Sequence, residues 1–300
     1  MSVLLETNLP LPLLHRGKVR DNYVLGDKLL IVATDRISAF DVVLPCGIPD
    51  KGAVLNLISA FWFEKTAHIV PNHVLEVLRD ADRIKAHVPL EHDLPSGLAH
   101  RSMIVRRAER IPVECVVRGY LSGSAWAEYS AKGTINGLGM RPGMKESQRF
   151  PEPIFTPTTK AETGHDQPLS LKDLSASVGE ELASDLQEKS LAVYRFAEEY
   201  ARAKGIIIAD TKMEFGLVDG RVILIDELLT PDSSRFWDAS QYTVGRSQAS
   251  YDKQMVRDWL TASGWNKEPP APMLPEDLIR KTSRRYQEVY QILTGKRLYQ

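Results

Sequence analysis

The first third of the chain shows the short, apolar, β-branched runs that predict strands. Residues 18–25 and 29–34 are two such runs, and Gly26-Asp27 between them is a hairpin signal. A helix is predicted at 53–68, where apolar side chains recur every three or four residues before Pro71. Further strands are predicted at 73–78, 102–107 and 113–121.

The pattern after residue 121 is mixed and more helical. A short helix at 124–132 is predicted to end at Gly133, and 133–168 is rich in glycine and proline and predicts a loop. The remaining predictions are a helix at 182–204, a strand at 206–210, a hairpin of 212–218 with 221–228, and helices at 247–263 and 276–294. This order predicts an α+β protein with a strand-rich lobe over 1–118, a mixed lobe over 119–300, and a ligand cleft between them.

Composition and charge narrow the classes of function. The 38 Lys and Arg residues nearly balance the 39 Asp and Glu residues, so no global field favours nucleic acid or a membrane surface. No apolar run approaches the roughly 20 residues of a membrane helix, and the N-terminus lacks the features of a signal peptide. Two cysteines, Cys46 and Cys115, cannot form a disulfide framework. We therefore expect free thiols and a cytoplasmic protein that binds neither nucleic acid nor membrane.

Several common catalytic motifs are missing from the sequence. It contains no P-loop, no G-x-G-x-x-G, no G-x-S-x-G, no H-E-x-x-H and no C-x-x-C. These absences argue against a zinc enzyme, a dithiol redox enzyme and a serine hydrolase.

Three segments have the composition of anion-binding loops. In R-G-K-V-R-D (16–21), glycine allows a phosphate to approach the backbone while basic side chains supply countercharge. In R-G-Y-L-S-G-S (118–124), an arginine and two serines precede a helix start. T-P-D-S-S-R (230–235) combines a turn with hydroxyls and an arginine. For each segment alone, a solvated turn or a helix cap is the alternative.

Acidic residues end an apolar strand near the second lobe's hairpin. Asp226 and Glu227 follow 222–225, and buried charges of this kind are paired or bound to metal. Oxygen ligands suit Mg²⁺ together with substrate phosphates, whereas an ion pair with Lys212 is the alternative. The four segments together indicate a Mg-nucleotide and a second, anionic substrate.

The motifs also resemble those of a known family, the SAICAR synthetases (phosphoribosylaminoimidazole-succinocarboxamide synthases) of purine biosynthesis. The segment 155–162 and the extended C-terminus are similar to the longer form of that family. The stretches that carry the resemblance are R-G-K-V-R-D (16–21), T-D-R-I-S-A-F-D (34–41), E-C-V-V-R-G-Y-L-S-G-S-A-W (114–126), F-T-P-T-T-K-A-E (155–162), I-A-D-T-K-M-E-F-G (208–216) and I-D-E-L-L-T-P-D-S-S-R (225–235).

The resemblance implies a fold, a reaction and a set of ligands. The fold would be a two-lobe, ATP-grasp-like α+β architecture with ATP in the cleft between the lobes. The activity would be a carbon–nitrogen ligase that joins carboxyaminoimidazole ribonucleotide (CAIR) to L-aspartate through an acyl phosphate, giving SAICAR, ADP and phosphate. Mg²⁺ would be the cofactor, and we expect a monomer.

The resemblance also implies site residues. ATP contacts are implied for Gly17, Lys18, Arg20, Glu114 and Val116, and catalytic roles for Lys212 and Asp210. Substrate contacts are implied for Asp35, Arg36, Ser38, Asp41, Arg118, Ser122, Ser124, Asp232, Ser233, Ser234, Arg235 and Lys253. Metal ligation is implied for Glu214 and Asp226.

A shared metal puts a condition on the hairpin. With a two-residue Asp219-Gly220 turn, Glu214 would lie opposite Ile225, and Asp226 would point through the other side of the sheet. A three-residue loop would bring Glu214 and Asp226 to one face. We therefore predict the three-residue loop, with Gly220 at positive φ.

Two other classes of function remain open from the residues. A small-molecule kinase of a related two-lobe fold, such as an inositol phosphate kinase, would share the nucleotide site but yield a stable phosphorylated product. A non-catalytic anion-binding protein would need neither the Glu214–Asp226 pair nor a metal.

Overall fold

Two large antiparallel sheets organise the chain in the computed structural model, which describes residues 3–88, 94–160 and 166–299. The N-terminal part contains β1 (Leu13–Arg16), β2 (Arg20–Leu25), β3 (Lys28–Ala33), β4 (Arg36–Ala39), β5 (Val42–Gly47), α1 (Lys51–Thr66), β6 (Val74–Val77) and β7 (Ser102–Arg106). The middle contains β8 (Glu109–Tyr120), α2 (Gly123–Lys132), β9 (Thr134–Ile135), β10 (Leu138–Gly139), β11 (Arg149–Phe155), β12 (Thr158–Thr159), α3 (Leu171–Val178) and α4 (Glu180–Arg202). The last part contains β13 (Ile206–Val218), β14 (Arg221–Ile225), β15 (Ser234–Asp238), α5 (Gln254–Ala262) and α6 (Glu276–Thr294).

The sheets differ in where their strands come from. The first has the order β1-β2-β3-β7-β6 and uses only the N-terminal part of the chain. The second has the order β11-β8-β13-β14, with β12 also paired to β8 and β15 also paired to β13. Its central pair, β8 and β13, consists of strands of 12 and 13 residues. The largest hydrophobic core lies against this pair and includes buried residues of α1, α4 and α6, such as Trp62, Val193 and Tyr286.

Much of the predicted element order is confirmed. The β2–β3 hairpin forms around Gly26-Asp27, and α6 has the predicted bounds. Gly133 ends α2 with φ 71°, a backbone angle that glycine adopts at little cost. The mixed α/β composition of the predicted fold is confirmed as well.

Several segments differ from the prediction. The strands predicted at 206–210 and 212–218 are one strand, β13, and the strand predicted at 221–228 ends at Ile225; β4, β5 and α3 were not predicted. The region 133–168 is not one loop, because β11 pairs with β8. Its prolines, Pro151 and Pro153, lie in the irregular part of that pairing, where a missing N–H donor does little harm. The helix expected at 247–263 begins only at Gln254.

The predicted three-residue hairpin loop is wrong. Val218 pairs with Arg221, and Glu214 lies opposite Ile225, which defines a two-residue turn. Asp219 and Gly220 have φ of 51° and 73°, the pair of left-handed residues that a type I′ turn requires. The positive φ expected for Gly220 is therefore confirmed, but in the tighter turn that Asp-Gly favours locally.

The division into two lobes stays a prediction. Residue 118 lies within β8, a strand of the second sheet. Among the helices of the described ranges, none is long and apolar enough to cross a bilayer.

Candidate active site

Alternate residues of the two central strands place a row of side chains on one face of the second sheet. Side chains alternate between the faces of a strand with a period of two, so residues an even number of positions apart share a face. The cross-strand pairs on this face are Arg118 with Asp210, Val116 with Lys212, and Glu114 with Glu214.

Arginines dominate one end of this row. The carboxylate of Asp210 accepts a hydrogen bond from Arg235 and lies 3.3 Å from Nη1 of Arg118. Arg118 also donates to Oγ1 of Thr156 at 3.0 Å and to Oγ of Ser124 at 3.2 Å. Asp210 thus holds two guanidinium groups side by side, and such forked donors suit phosphate and carboxylate.

Carboxylates and lysines form the other end. Nζ of Lys160 donates to Glu114 at 2.9 Å and to Glu214 at 2.5 Å, and Lys212 donates to Glu114 at 3.0 Å. Burial acts to raise the pKa of Glu114, but the two lysines outweigh burial and lower it. Burial and the neighbouring charge of Asp226 raise the pKa of Glu214 to about 7. The charge of Lys160 therefore does not offset the combined effect of burial and Asp226 on Glu214.

Asp226 lies near the carboxylate–lysine end of the row, although the register of the β13–β14 hairpin would direct its side chain to the other face of the sheet. β14 ends at Ile225, and Asp226 leaves the strand with a left-handed φ of 66°. Its Oδ2 lies 2.7 Å from Nη2 of Arg20, which also pairs with Glu227 at 3.3 Å. Burial acts to lower the pKa of Arg20, but Asp226, Glu227 and Glu214 together raise it. The two carboxylates expected to bind metal therefore lie near the same cation.

The metal site expected at Glu214 and Asp226 stays a prediction. Within the described ranges, no group of three or more His, Cys, Asp or Glu side chains could hold a metal ion. Mg²⁺ is commonly held by one or two carboxylates with substrate phosphates and water completing its shell. Glu214 and Asp226 are carboxylates of the type that such a site uses, and here they are paired with Lys160 and Arg20.

A cavity of about 230 Å³ opens on the charged face. Thr158, one of its lining residues, has a buried hydroxyl that finds no hydrogen-bond partner among the described residues, as expected where a ligand would supply one. The lining residues that the sequence predicted are Glu114, Val116, Arg118, Ser124, Asp210, Lys212, Asp232, Ser233, Ser234 and Arg235. Those that it missed are Thr158, Asp166 and Arg257.

Two cations at the site were not predicted. Arg257 lies on α5, where the sequence offers only a helical period and mixed charge. Lys160 follows β12 within the F-T-P-T-T-K-A-E segment, whose last two residues lie outside the described residues. The segment drew attention to Lys160 through its resemblance to the family. Only the contacts with Glu114 and Glu214 indicate what Lys160 does.

The R-G-K-V-R-D segment (16–21), the glycine–lysine loop, does not line the cavity. It lies beside the carboxylate–lysine end of the row, where Arg20 contacts Asp226. Lys18 forms an ion pair with Asp41, and both side chains are about half exposed. The N–H of Gly17 donates to the carbonyl of Arg20 at 2.8 Å. Arg20 pairs with Asp226 and Glu227, partners that the sequence did not predict, and its contact with ATP stays a prediction.

Asp35 and Arg36 are bonded to other parts of the protein. Asp35 is fully buried and accepts hydrogen bonds from the backbone of Leu4 and Gly52 and from Arg101 at 3.0 Å. Arg36 donates to the backbone carbonyls of residues 5, 17 and 18 and to Asp21. Arg36 therefore stabilises the backbone at residues 17 and 18, and the substrate contacts expected for both side chains stay predictions.

Three other predicted contacts lie outside the cavity lining. Ser38 and Ser122 are buried, and the hydroxyl of Ser122, which precedes α2, has no hydrogen-bond partner in the part of the chain that the structure describes. Lys253 is buried with Nζ 3.8 Å from Asp232, and burial lowers its pKa despite that carboxylate.

The cysteines are buried free thiols, as predicted.

A sheet face with forked arginines at one end and a carboxylate–lysine group at the other defines a class of enzyme that acts on acidic, phosphorylated small molecules. Known proteins narrow this class to a family. The family model of the SAICAR synthetases matches residues 13–272. The chain belongs to the SAICAR synthetase family, and the predictions of the family and of an enzyme are confirmed.

Individual relatives agree with the family match. Phosphoribosylaminoimidazole-succinocarboxamide synthase of Thermodesulfovibrio yellowstonii is 54% identical over 98% of this chain and 99% of its own length. The protein of the same name from Elusimicrobium minutum is 50% identical over 94% of this chain and 96% of its own length. The solved SAICAR synthase of Saccharomyces cerevisiae, in complex with SAICAR, superposes with a TM-score of 0.90 at 44% identity, covering 99% of this chain and all of the yeast chain.

Proposed function

We propose that this protein joins CAIR to L-aspartate to form SAICAR, with conversion of ATP to ADP and phosphate. The observation that carries the proposal is the single sheet face with two charged ends. Asp210 and Glu214 are four residues apart on β13, roughly 13 Å at about 3.3 Å per residue, and Lys212 lies midway. Two phosphate-bearing ligands could therefore meet at Lys212. The SAICAR bound to the yeast relative supports the ribonucleotide assignment.

The arginine end is proposed to hold the ribonucleotide. Arg118 and Arg235 each keep N–H donors beyond those bonded to Asp210, and Ser124 and Ser234 line the same cavity. Asp210 is shared by two guanidinium groups, so we assign it to their alignment rather than to proton transfer. This changes its role from the catalytic one that the resemblance implied.

The acidic end is proposed to hold ATP in a cleft between the two sheets, as in a two-lobe, ATP-grasp-like architecture. Arg20 on β2 of the first sheet contacts Asp226 beside β14 of the second, so the sheets meet here. Lys18 is two residues from Arg20, and we assign the triphosphate to the glycine–lysine loop on that ground. Mg²⁺ held by Glu214 and Asp226 would neutralise charge on the phosphates.

The proposed reaction has two displacement steps. A carboxylate oxygen of CAIR bonds to the γ-phosphorus, and the bond from that phosphorus to the bridging oxygen breaks, so that ADP leaves with the electron pair. The amine of aspartate then bonds to the acyl carbon, the carbon–oxygen bond breaks, phosphate leaves and the amine gives up a proton. Such phosphoryl transfer depends on positioning and charge neutralisation, and Lys212 is placed to supply charge between the two ends.

A turnover assay that omits ATP, Mg²⁺, L-aspartate or CAIR in turn tests the proposal. Phosphate and SAICAR should appear in equal amounts only when all four are present. A stable phosphorylated product formed without aspartate would instead indicate a kinase.

Oxygen labelling tests the acyl phosphate. With ¹⁸O in the CAIR carboxylate, the released phosphate should carry one ¹⁸O, because the attacking oxygen leaves with phosphorus. Unlabelled phosphate would contradict the intermediate. The monomeric state and the cytoplasmic location stay predictions, and sedimentation of the purified protein would test the first.

A further inference from the structure

Helix α6 lies beyond residue 272, where the family match ends, yet it contacts two segments near the site. Ser283 and Gln287 share a helix face because they are four residues apart. Oγ of Ser283 donates to the carbonyl of Pro49 at 2.9 Å, and Nε2 of Gln287 donates to Asp50 at 2.9 Å. These contacts fix the turn that begins α1.

The same helix face reaches the T-P-D-S-S-R loop. The hydroxyl of Tyr286 donates to Oδ1 of Asp232 at 2.8 Å. The other oxygen, Oδ2, accepts from Nζ of Lys51 at 2.7 Å. Lys51 is the first residue of α1 and is fully buried, as is Tyr286, and its ammonium lies 5.9 Å from the centre of the Tyr286 ring. With Lys253, whose Nζ lies 3.8 Å from Oδ1 of Asp232, these groups form a buried cluster.

Asp232 is consequently positioned by the protein on both carboxylate oxygens. It borders the cavity, but its side chain is only 5% exposed and each oxygen already has a donor. The direct substrate contact expected for Asp232 stays a prediction. A second route to a ligand runs through the loop that follows Asp232.

That loop supplies the cavity with its hydroxyls and an arginine. Ser233, Ser234 and Arg235 line the cavity directly after Asp232. The carbonyl of Ser233 accepts from the N–H of Lys212 at 2.9 Å, which joins the loop to β13. A shift of Asp232 would therefore move the groups proposed to bind the ribonucleotide.

We propose that Tyr286 is a positioning residue for the ribonucleotide end of the site, acting through Asp232. Helix α6, which lies outside the family match, then contributes to ribonucleotide binding and not only to the hydrophobic core. This inference rests on the proposed function, because it assigns the 233–235 loop to the ribonucleotide.

The test is Tyr286→Phe, which removes one hydroxyl and keeps the buried ring. Tyr290→Phe is the matched control, since Tyr290 is a buried residue one turn further along α6. Within the described residues, no hydrogen bond from Tyr290 to the 230–235 loop is found. For both variants we would measure thermal unfolding, kcat, the KM of each substrate and the Kd of SAICAR by calorimetry.

Loss of one hydrogen bond to a charged group should weaken ribonucleotide binding by about tenfold in Tyr286→Phe. The KM of ATP should stay within about twofold, and Tyr290→Phe should match the wild type in all three substrates. Equal changes in every KM, or a lowered unfolding temperature with unchanged KM values, would overturn the positioning role and leave Tyr286 a structural residue.

A double variant tests whether Asp232 is the intermediary. If Tyr286 acts only through Asp232, Tyr286→Phe combined with Asp232→Asn should bind SAICAR no more weakly than Asp232→Asn alone. Multiplying effects would overturn that route. A wild-type protein that turns over CAIR and aspartate, with a Tyr286→Phe variant indistinguishable from it, would refute this inference alone. Failure of the wild type to turn them over would refute the proposed function itself.

Discussion

Gly119 is predicted to be essential for stability because Tyr194 crosses directly over it. A Cβ added at Gly119 would lie 2.0 Å from the Tyr194 hydroxyl oxygen and 2.9 Å from Cζ. Tyr194 is buried and cannot move freely, since its hydroxyl donates to the carbonyl of Ile208 at 2.6 Å. Gly119→Ala should therefore destabilise the protein even though the backbone of residue 119 is not in a left-handed conformation.

The size of the effect follows from this geometry. The Tyr194 hydroxyl would have to move by about 1.5 Å to restore a van der Waals separation of about 3.5 Å, and that would break its hydrogen bond to Ile208. Overpacking of this kind costs about 1–3 kcal/mol, and a buried carbonyl left without its donor costs about 1–3 kcal/mol more. We expect a loss of about 2–6 kcal/mol in the free energy of unfolding.

Urea unfolding and a thermal melt would measure the loss. At about 2 °C per kcal/mol, the melting temperature should fall by about 4–12 °C. In a Tyr194→Phe background the hydroxyl is absent, so Gly119→Ala should cost less than half as much there. An unchanged melting temperature, or the same penalty in both backgrounds, would refute the steric argument.

Three further predictions concern the site. Arg235→Lys should weaken SAICAR binding by about tenfold or more while ATP binding is kept, because lysine cannot copy the forked donor, and calorimetry with each ligand would show it; an equal loss of ATP affinity would mean that Arg235 serves the other substrate. The double variant Cys46→Ser, Cys115→Ala should fold and turn over. Burial raises the pKa of both thiols, to about 12 for Cys115, so neither is a thiolate nucleophile at neutral pH. Loss of turnover in a folded double variant would contradict the mechanism. Glu214→Gln should keep the fold but raise the Mg²⁺ concentration for half-maximal turnover, and an unchanged requirement would remove Glu214 from the metal site.

Local sequence determined most of the secondary structure and the family. The bounds of α6 and the β2–β3 turn follow from apolar spacing and turn residues, which act over a few positions. The Asp219-Gly220 turn is instructive. Asp-Gly by itself favours the two-residue turn that forms. The three-residue loop, predicted from a metal geometry, is wrong.

The position of Asp226 could not be obtained from strand alternation. Alternation applies only while the strand continues, and the strand ends one residue earlier. The left-handed backbone at Asp226 then directs its carboxylate to Arg20, 206 residues away in the chain. Whether a strand stops or continues there depends on what packs against it.

The division of charged residues between substrate and scaffold was likewise decided by tertiary structure. The sequence indicated that Asp35, Arg36 and Asp232 lie in functional motifs, but it could not show that each is surrounded by protein donors or acceptors. Asp232 is bonded to Lys51, 181 residues before it, and to Tyr286, 54 residues after it. A buried charge needs a partner, but the sequence alone does not show which residue that partner is. For Asp232 the partners are Lys51 and Tyr286 because α1 and α6 pack against its loop.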